Sequence, residues 1–227
     1  MAKSKDDDKG RIIKLPSLNE DLLDVEIIGT MSYIQNGFPK AAIAALGQTR
    51  AGGTDKPIPK DTKGQEDQDP DAEALSKMHI IDEVYDKAGE IVKAKCLCGI
   101  PVSALQKSIT TAAWQVNSIP KKQILAAIAV EGHEGGSFVP FKHNPKKFDI
   151  RQGWGKVNRK LLIFYQPVFS DWKAHVTVRF DRAMIDKGTV LQLVRNAGSK
   201  VGIGNNRREV GGECGTFRIG KVVEVKR

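Results

Sequence analysis

Cysteine, aromatic residues and long apolar runs are all scarce in this sequence, and each scarcity closes off a class of function. Three cysteines, Cys96, Cys98 and Cys214, in 227 residues are too few for a disulfide framework. They fit a reducing compartment, the cytoplasm of a prokaryotic or infected host cell. Cys96 and Cys98 stand one residue apart with no histidine pair beside them, so they do not make a zinc knuckle and are expected as half-buried strand residues. No run approaches the roughly 20 apolar residues of a membrane span, so no membrane partner is expected. The opening MAKSKDDDKGR has no apolar core and cannot be a secretory signal; residues 1–20 are expected as a disordered arm.

Motifs for nucleotide and acyl chemistry are missing too. There is no lysine-serine phosphate loop and no nucleophile elbow. The Gly202-Ile203-Gly204 triplet follows a helix-like run and precedes a strand-like one, the reverse of a dinucleotide fingerprint. Glu131 and Glu134 flank His133, but EGHE lacks the helical spacing of a zinc hydrolase. Asp149, Asp171 and Asp181 are too scattered for a two-metal site. No metal and no cofactor is therefore expected.

What the chain has instead is positive charge, unevenly placed. The formal net charge is +9, yet from Lys142 onward 19 Lys and Arg face 7 Asp and Glu, while the first 141 residues carry 17 against 20. The C-terminal part alone supplies the positive field, which suits a polyanion; composition by itself does not separate this from a solubilising lysine-rich surface.

Periodicity divides the chain into short elements. Leu22 to Ile34 reads as a strand, Phe38 to Leu46 as a short helix opened by Pro39, and Gln48 to Asp71 as a mobile polar insertion with one isolated isoleucine. Asp71 to Ile81 is helix-compatible, and Glu83 to Leu97 reads as a hairpin turning at Asp86 to Gly89. Pro101 to Val116 carries Val102, Leu105, Ile109 and Ala112 at helical spacing. Gln123 to Val130 reads as a buried strand with Ser137 to Phe141 as its hairpin partner. Leu161 to Val168 and His175 to Phe180 are strands, Asp186 to Ala197 a helix and Thr216 to Val225 a final strand.

Strand 22–34, helix 101–117, strand 123–131, strand 172–180, helix 186–198 and strand 216–225 make βαββαβ. That order predicts one α+β domain, residues 21–227, with a ferredoxin-like (RRM-like) core. The insertion 48–71 and the elements at 72–97 and 132–170 decorate it.

Two basic, glycine-containing segments carry the functional signal. The first, Ala197 to Lys221, packs seven glycines among Lys200, Arg207, Arg208, Arg218 and Lys221; the second is Lys142 to Lys160. Joined by the sheet, they would form a groove. Lys146, Lys147, Arg151, Lys156, Arg159, Lys160, Lys200, Arg207 and Arg208 are the candidate phosphate ligands, with the backbone amides of Gly202 and Gly204 as a cradle. Trp154, Trp172 or Tyr165 could stack on an unpaired base. His133 and His143 lie in glycine-rich or basic loops, where a general base for RNA cleavage could sit, although loop histidines are usually solvated surface residues.

A ferredoxin-like core whose second helix leads into AGSKVGIGNNRREVGG and then a terminal strand, CGTFRIGKVVEV, resembles the RAMP superfamily. These are RNA-binding proteins of CRISPR systems, and the likeness is to the backbone subunits that line guide RNA. The resemblance implies RNA phosphate binding at Lys200, Gly202, Gly204, Arg207 and Arg208, with the 48–71 insertion as a flap near the RNA or the next subunit. The acidic Glu209 and Glu213 interrupt the glycine loop, and members of the superfamily that process RNA use a loop histidine with no clear counterpart here. The expectation is thus a non-catalytic binder of single-stranded RNA, or of DNA, able to self-associate or join other subunits of a CRISPR-like or phage-encoded ribonucleoprotein. A metal-independent endoribonuclease and a viral structural or partner-binding protein with a basic face are the alternatives.

Overall fold

β1 (Glu20–Gly29) sets the frame. Its alternation puts Leu23, Val25 and Ile27 at 1 % exposure or less on one face, while Leu22, Asp24 and Glu26 stay half-buried on the other. The computed structural model describes residues 19–37, 69–157 and 160–225, without the side chains of 116, 117, 155–157 and 160–162. The expected arm up to residue 18, the 38–46 helix and residues 48–68 of the insertion lie outside the described residues.

After β1 come β2 (Tyr33–Ile34), α1 (Pro70–Ser76), β3 (Ile80–Asp82), β4 (Leu97–Pro101), α2 (Val102–Asn117), α3 (Lys121–Ala127) and β5 (Ile128–Glu131). They are followed by β6 (Phe138–Lys142), β7 (Asp149–Val157), β8 (Lys160–Phe169), β9 (Lys173–Asp181), α4 (Lys187–Asn196) and β10 (Phe217–Val225). The larger sheet runs β10-β1-β9-β6-β4-β3, with β5 also paired to β9, and every pairing is antiparallel. The fold is therefore mixed α+β. Within it β1, α2, β5, β9, α4 and β10 follow the βαββαβ order, and their strands lie in the spatial order β10-β1-β9-β5.

α2 and α4 cover one face of this sheet. Leu105 and Ile109 of α2 and Val190, Leu193 and Val194 of α4 join Val25, Val176 and Val178 in one buried cluster. A second sheet, β2-β8-β7, docks on the first through aromatic rings. Tyr33 and Phe169 from the small sheet meet Phe141 from β6 at 5.5 and 5.0 Å between ring centres, near edge-to-face. Trp172, fully buried, closes the cluster: its Nε1 donates to Met31 O at 2.9 Å, and only a glycine at 29 leaves room for its ring.

Several expected elements differ. The 22–34 strand is two: β1 ends at Gly29, the amides of Thr30 and Met31 turn to Thr216 O at 2.9 and 3.4 Å, and Tyr33–Ile34 pairs with β8 in the second sheet. Gln123 to Val130 is not one strand: Lys121–Ala127 is helical and only Ile128–Glu131 pairs with β9. Pro120 fits a helix start, and Ile124 and Ala127 bury at a three-residue spacing, so the short apolar run takes the helical period first. Its expected hairpin with 137–141 is also absent among the described residues, since β6 pairs with β4 and with Ala174 and Lys173 of β9. The 71–81 helix stops at Ser76, after which Ile80 pairs with Cys98 of β4. β-branched Ile80 and Ile81 are better suited to that edge than to a fourth helical turn.

The Asp86–Gly89 turn forms, with Asp86 Oδ1 accepting from the amides of Ala88 and Glu90 at 2.8 and 2.9 Å, but its hairpin is one bridge, Tyr85 to Ile91. Cys96 and Cys98 are fully rather than half buried, and burial, with Cys96 beside it, pushes the Cys98 thiol up to about 12. Among the described residues no helix is long and apolar enough to cross a membrane.

Candidate nucleic-acid interface

The glycine-rich loop begins where α4 changes pitch. Asp186 caps the helix, its Oδ1 accepting from the Thr189 amide at 3.0 Å, and Ala197–Val201 then form one π turn. Ser108 of α2, 3 % exposed, pins that turn by donating to Gly202 O at 3.0 Å. The chain next runs past β2, where Gly204 holds φ of +76° and lies so close that a Cβ would sit 2.5 Å from Ile34 O and 2.6 Å from the Tyr33 ring. Glycine is required there by contact as well as by dihedral angle.

Most polar groups of the loop are satisfied inside it. The Gly202 amide donates to Ala197 O at 2.8 Å, so it is not an open phosphate donor; the Gly204 amide has no backbone partner among the described residues. Arg207 is likewise engaged: Nε and Nη2 meet Glu209 Oε2 at 2.8 and 2.7 Å, and Nη1 donates to Gly204 O at 3.4 Å. This makes Arg207 a brace for the loop. Lys200 and Arg208 are exposed, Arg208 donating to Ser199 O at 3.0 Å, and neither has a carboxylate partner among the described residues.

The second basic segment splits between two places. Asn144 caps the turn 145–147 by accepting from the Lys146 amide, Lys146 is exposed, and Lys147 pairs with Asp171 at 2.8 Å. That ion pair holds the Asp171 carboxyl below its usual range. Residues 149–157 form β7, paired along its length with β8. Arg151 lies opposite Gln166, whose Oε1 accepts from Asn205 Nδ2 of the glycine loop at 3.0 Å. The loop thus reaches β8 at the buried glutamine that stands opposite Arg151.

Trp154 is 75 % exposed, but strand alternation puts it on the face opposite Arg151, with half-buried Tyr165. Trp172 is core and available to no base. Lys156 and Lys160 fall within the hairpin strands without described side chains, and Arg159 lies outside the described residues.

Between α2, β2 and the loop lies a cavity of about 280 Å³ whose lining includes Tyr33, His79, Lys107, Ser108, Asn205 and Arg207. His79, Lys107 and Ser108 were not predicted. A serine on the apolar stripe of α2 was the available signal, because a buried hydroxyl there needs a partner from elsewhere in the fold.

The two candidate histidines do not meet this cavity. His143 packs against Phe169, Phe141 and Phe148 with ring centres 4.9 to 6.3 Å away, and burial lowers its pKa. His133 is exposed near Glu134, at 3.8 Å, and lines a separate cavity with Asp24 and His175. Among the described residues no three His, Cys, Asp or Glu side chains cluster as a metal site.

No protein-family model matches the chain, and no curated protein matches it. Among solved structures it is similar to a chain of the cryo-EM structure of the Type III-B Cmr-beta bound to cognate target RNA. The identity is 10%, the TM-score 0.41, and the match covers 92% of this chain and 61% of that one. The present chain thus spans less than two thirds of its neighbour's length.

Proposed function

We propose that the protein binds single-stranded nucleic acid without cleaving it, RNA being the expected form, along the surface joining the glycine loop to β7. The observation that carries this reading is a set of cations left over after internal pairing. Lys107, Lys200, Arg208 and Arg151 have no carboxylate partner among the described residues: Lys107 lines the cavity, Lys200 and Arg208 are exposed on the glycine loop beside it, and Arg151 lies on β7, opposite the Gln166 that Asn205 of the loop contacts. Unpaired cations on neighbouring elements favour a phosphate backbone. Trp154, on the far side of the edge strand β7, offers a stacking surface to a chain that crosses that edge. Catalysis is disfavoured because His143 is a packed ring and His133 lies in another cavity. Assembly with other subunits of a ribonucleoprotein belongs to the same proposal.

Fluorescence anisotropy with a mixed-sequence 12-nucleotide RNA, and with its DNA counterpart, tests it. The Lys200→Ala/Arg208→Ala variant should bind more weakly, and its slope of log affinity against log salt should shrink by about 1.4, at about 0.7 per lost phosphate contact on a single strand. Unchanged affinity for both strands rejects the reading. Light scattering with and without RNA reports assembly in the same samples.

A further inference from the structure

We infer that the cavity behind the glycine loop takes one nucleobase turned out of the bound strand. This rests on the strand-binding reading above. At about 280 Å³ the cavity lies at the lower end of ligand pockets, room for one heterocycle and not for a stacked pair. Its floor is apolar: Tyr33, Val201 and Ile203 are each 2 % exposed or less. His79 supplies a flat wall, held 5.2 Å from the Phe138 ring, and burial lowers its pKa so that the imidazole stays neutral near pH 7.

The polar groups suit a base edge better than an anion or a cation. Asn205 has Nδ2 engaged with Gln166, which leaves its Oδ1 to accept from a base amino group, while Asn36 offers both a donor and an acceptor. Arg207 and Glu209, also in the lining, neutralise each other, so among the described residues Lys107 is the one unpaired charge there and no carboxylate is left over for a metal ion. Lys107, on the exposed face of α2 at the same cavity, remains for the phosphate that leads into the base. An apolar floor, one ring face and two amides beside a lone cation match a nucleotide held within a strand.

The test compares a 12-nucleotide RNA with an abasic ribose-phosphate 12-mer, in a Trp154→Ala background so that lost stacking on that residue does not count. The parent should bind the normal strand about tenfold more tightly, the effect of one well-stacked base. Ala104→Trp, which fills the cavity from α2, should remove that preference and leave affinity for the abasic strand unchanged. Asn36→Ala needs no repacking and should reduce the preference several-fold, so a misfolded Ala104→Trp would not shield the idea. Normal-strand affinity unaltered in both variants overturns the base pocket while leaving strand binding intact; failure of the parent to bind either strand overturns both. Nucleoside monophosphates form the last arm. Thermal stabilisation by millimolar monophosphate that Ala104→Trp abolishes, with strand binding unaffected, would make the cavity a free-nucleotide site and overturn the proposal.

Discussion

Gly204→Ala separates a glycine that shapes the loop from one that merely touches ligand. At φ of +76° an alanine incurs about 1–2 kcal/mol from the left-handed backbone. Its Cβ would stand 2.5 Å from Ile34 O, a backbone atom of β2 that cannot swing aside, and such overpacking adds about 1–3 kcal/mol. Loss of unfolded-chain entropy returns about 0.4–1 kcal/mol, so the net destabilisation is about 1–4.6 kcal/mol, centred on about 3 kcal/mol. For a chain of this size the central value is a fall in Tm of about 6–12 °C.

Gly211→Ala is the internal control. Its φ is +84°, but nothing lies within 4 Å of the added carbon, so only the backbone cost less the same entropy return remains and Tm should fall by less than about 6 °C. Differential scanning calorimetry on the two variants without nucleic acid measures the contrast. Equal shifts, or a Gly204→Ala variant that melts with the wild type, would refute the claim that close packing against β2 holds the loop in place.

The two adjacent arginines should part company: Arg207→Ala orphans Glu209 and should cost about 1–3 kcal/mol of stability by urea titration, whereas Arg208→Ala should leave the urea midpoint within error and weaken RNA binding. Trp154→Ala should weaken RNA binding by about 1–3 kcal/mol with no change in Tm, and Trp172→Ala, which empties a fully buried site, should cost about 3–5 kcal/mol. His79 and His143 have folded pKa values lowered by burial. Their contribution to stability is complete above the unfolded imidazole value of about 6.5 and is lost as pH falls from there toward the folded value. The urea midpoint should therefore drop between pH 7.5 and 5.5, and His143→Phe, which keeps a ring in the aromatic cluster, should shrink that drop; an identical drop in the variant would refute it.

The core was legible because its elements repeat one period long enough to be read. α2, β9, α4 and β10 each show alternation or a helical stripe and fall where periodicity placed them, whereas the 22–34 run holds β1 only up to Gly29 before the chain passes to the second sheet. The other misreadings fall on short runs. Ile124 to Val130 is apolar at both periods, and only the partner strand β9 decides that pairing begins at Ile128. Partners distant in sequence are what single-sequence periodicity does not contain.

The same reason governs the site. Glycine and arginine in one stretch marked the segment that connects α4 to β10, but which arginine faces solvent depends on Glu209 folding back onto Arg207, and which glycine is indispensable depends on Ile34, 170 residues away. The segment 142–160 is expected to complete a groove as a block; strand alternation instead divides it, putting Arg151 on the face of Gln166, which Asn205 of the loop contacts, and Trp154 on the opposite face. A strand that uses both must cross the free edge of β7. Arg151→Ala and Trp154→Ala should then weaken binding additively, because the two contacts share no partner. Double-mutant-cycle coupling above about 0.5 kcal/mol would mean instead that the two side chains hold one nucleotide between them.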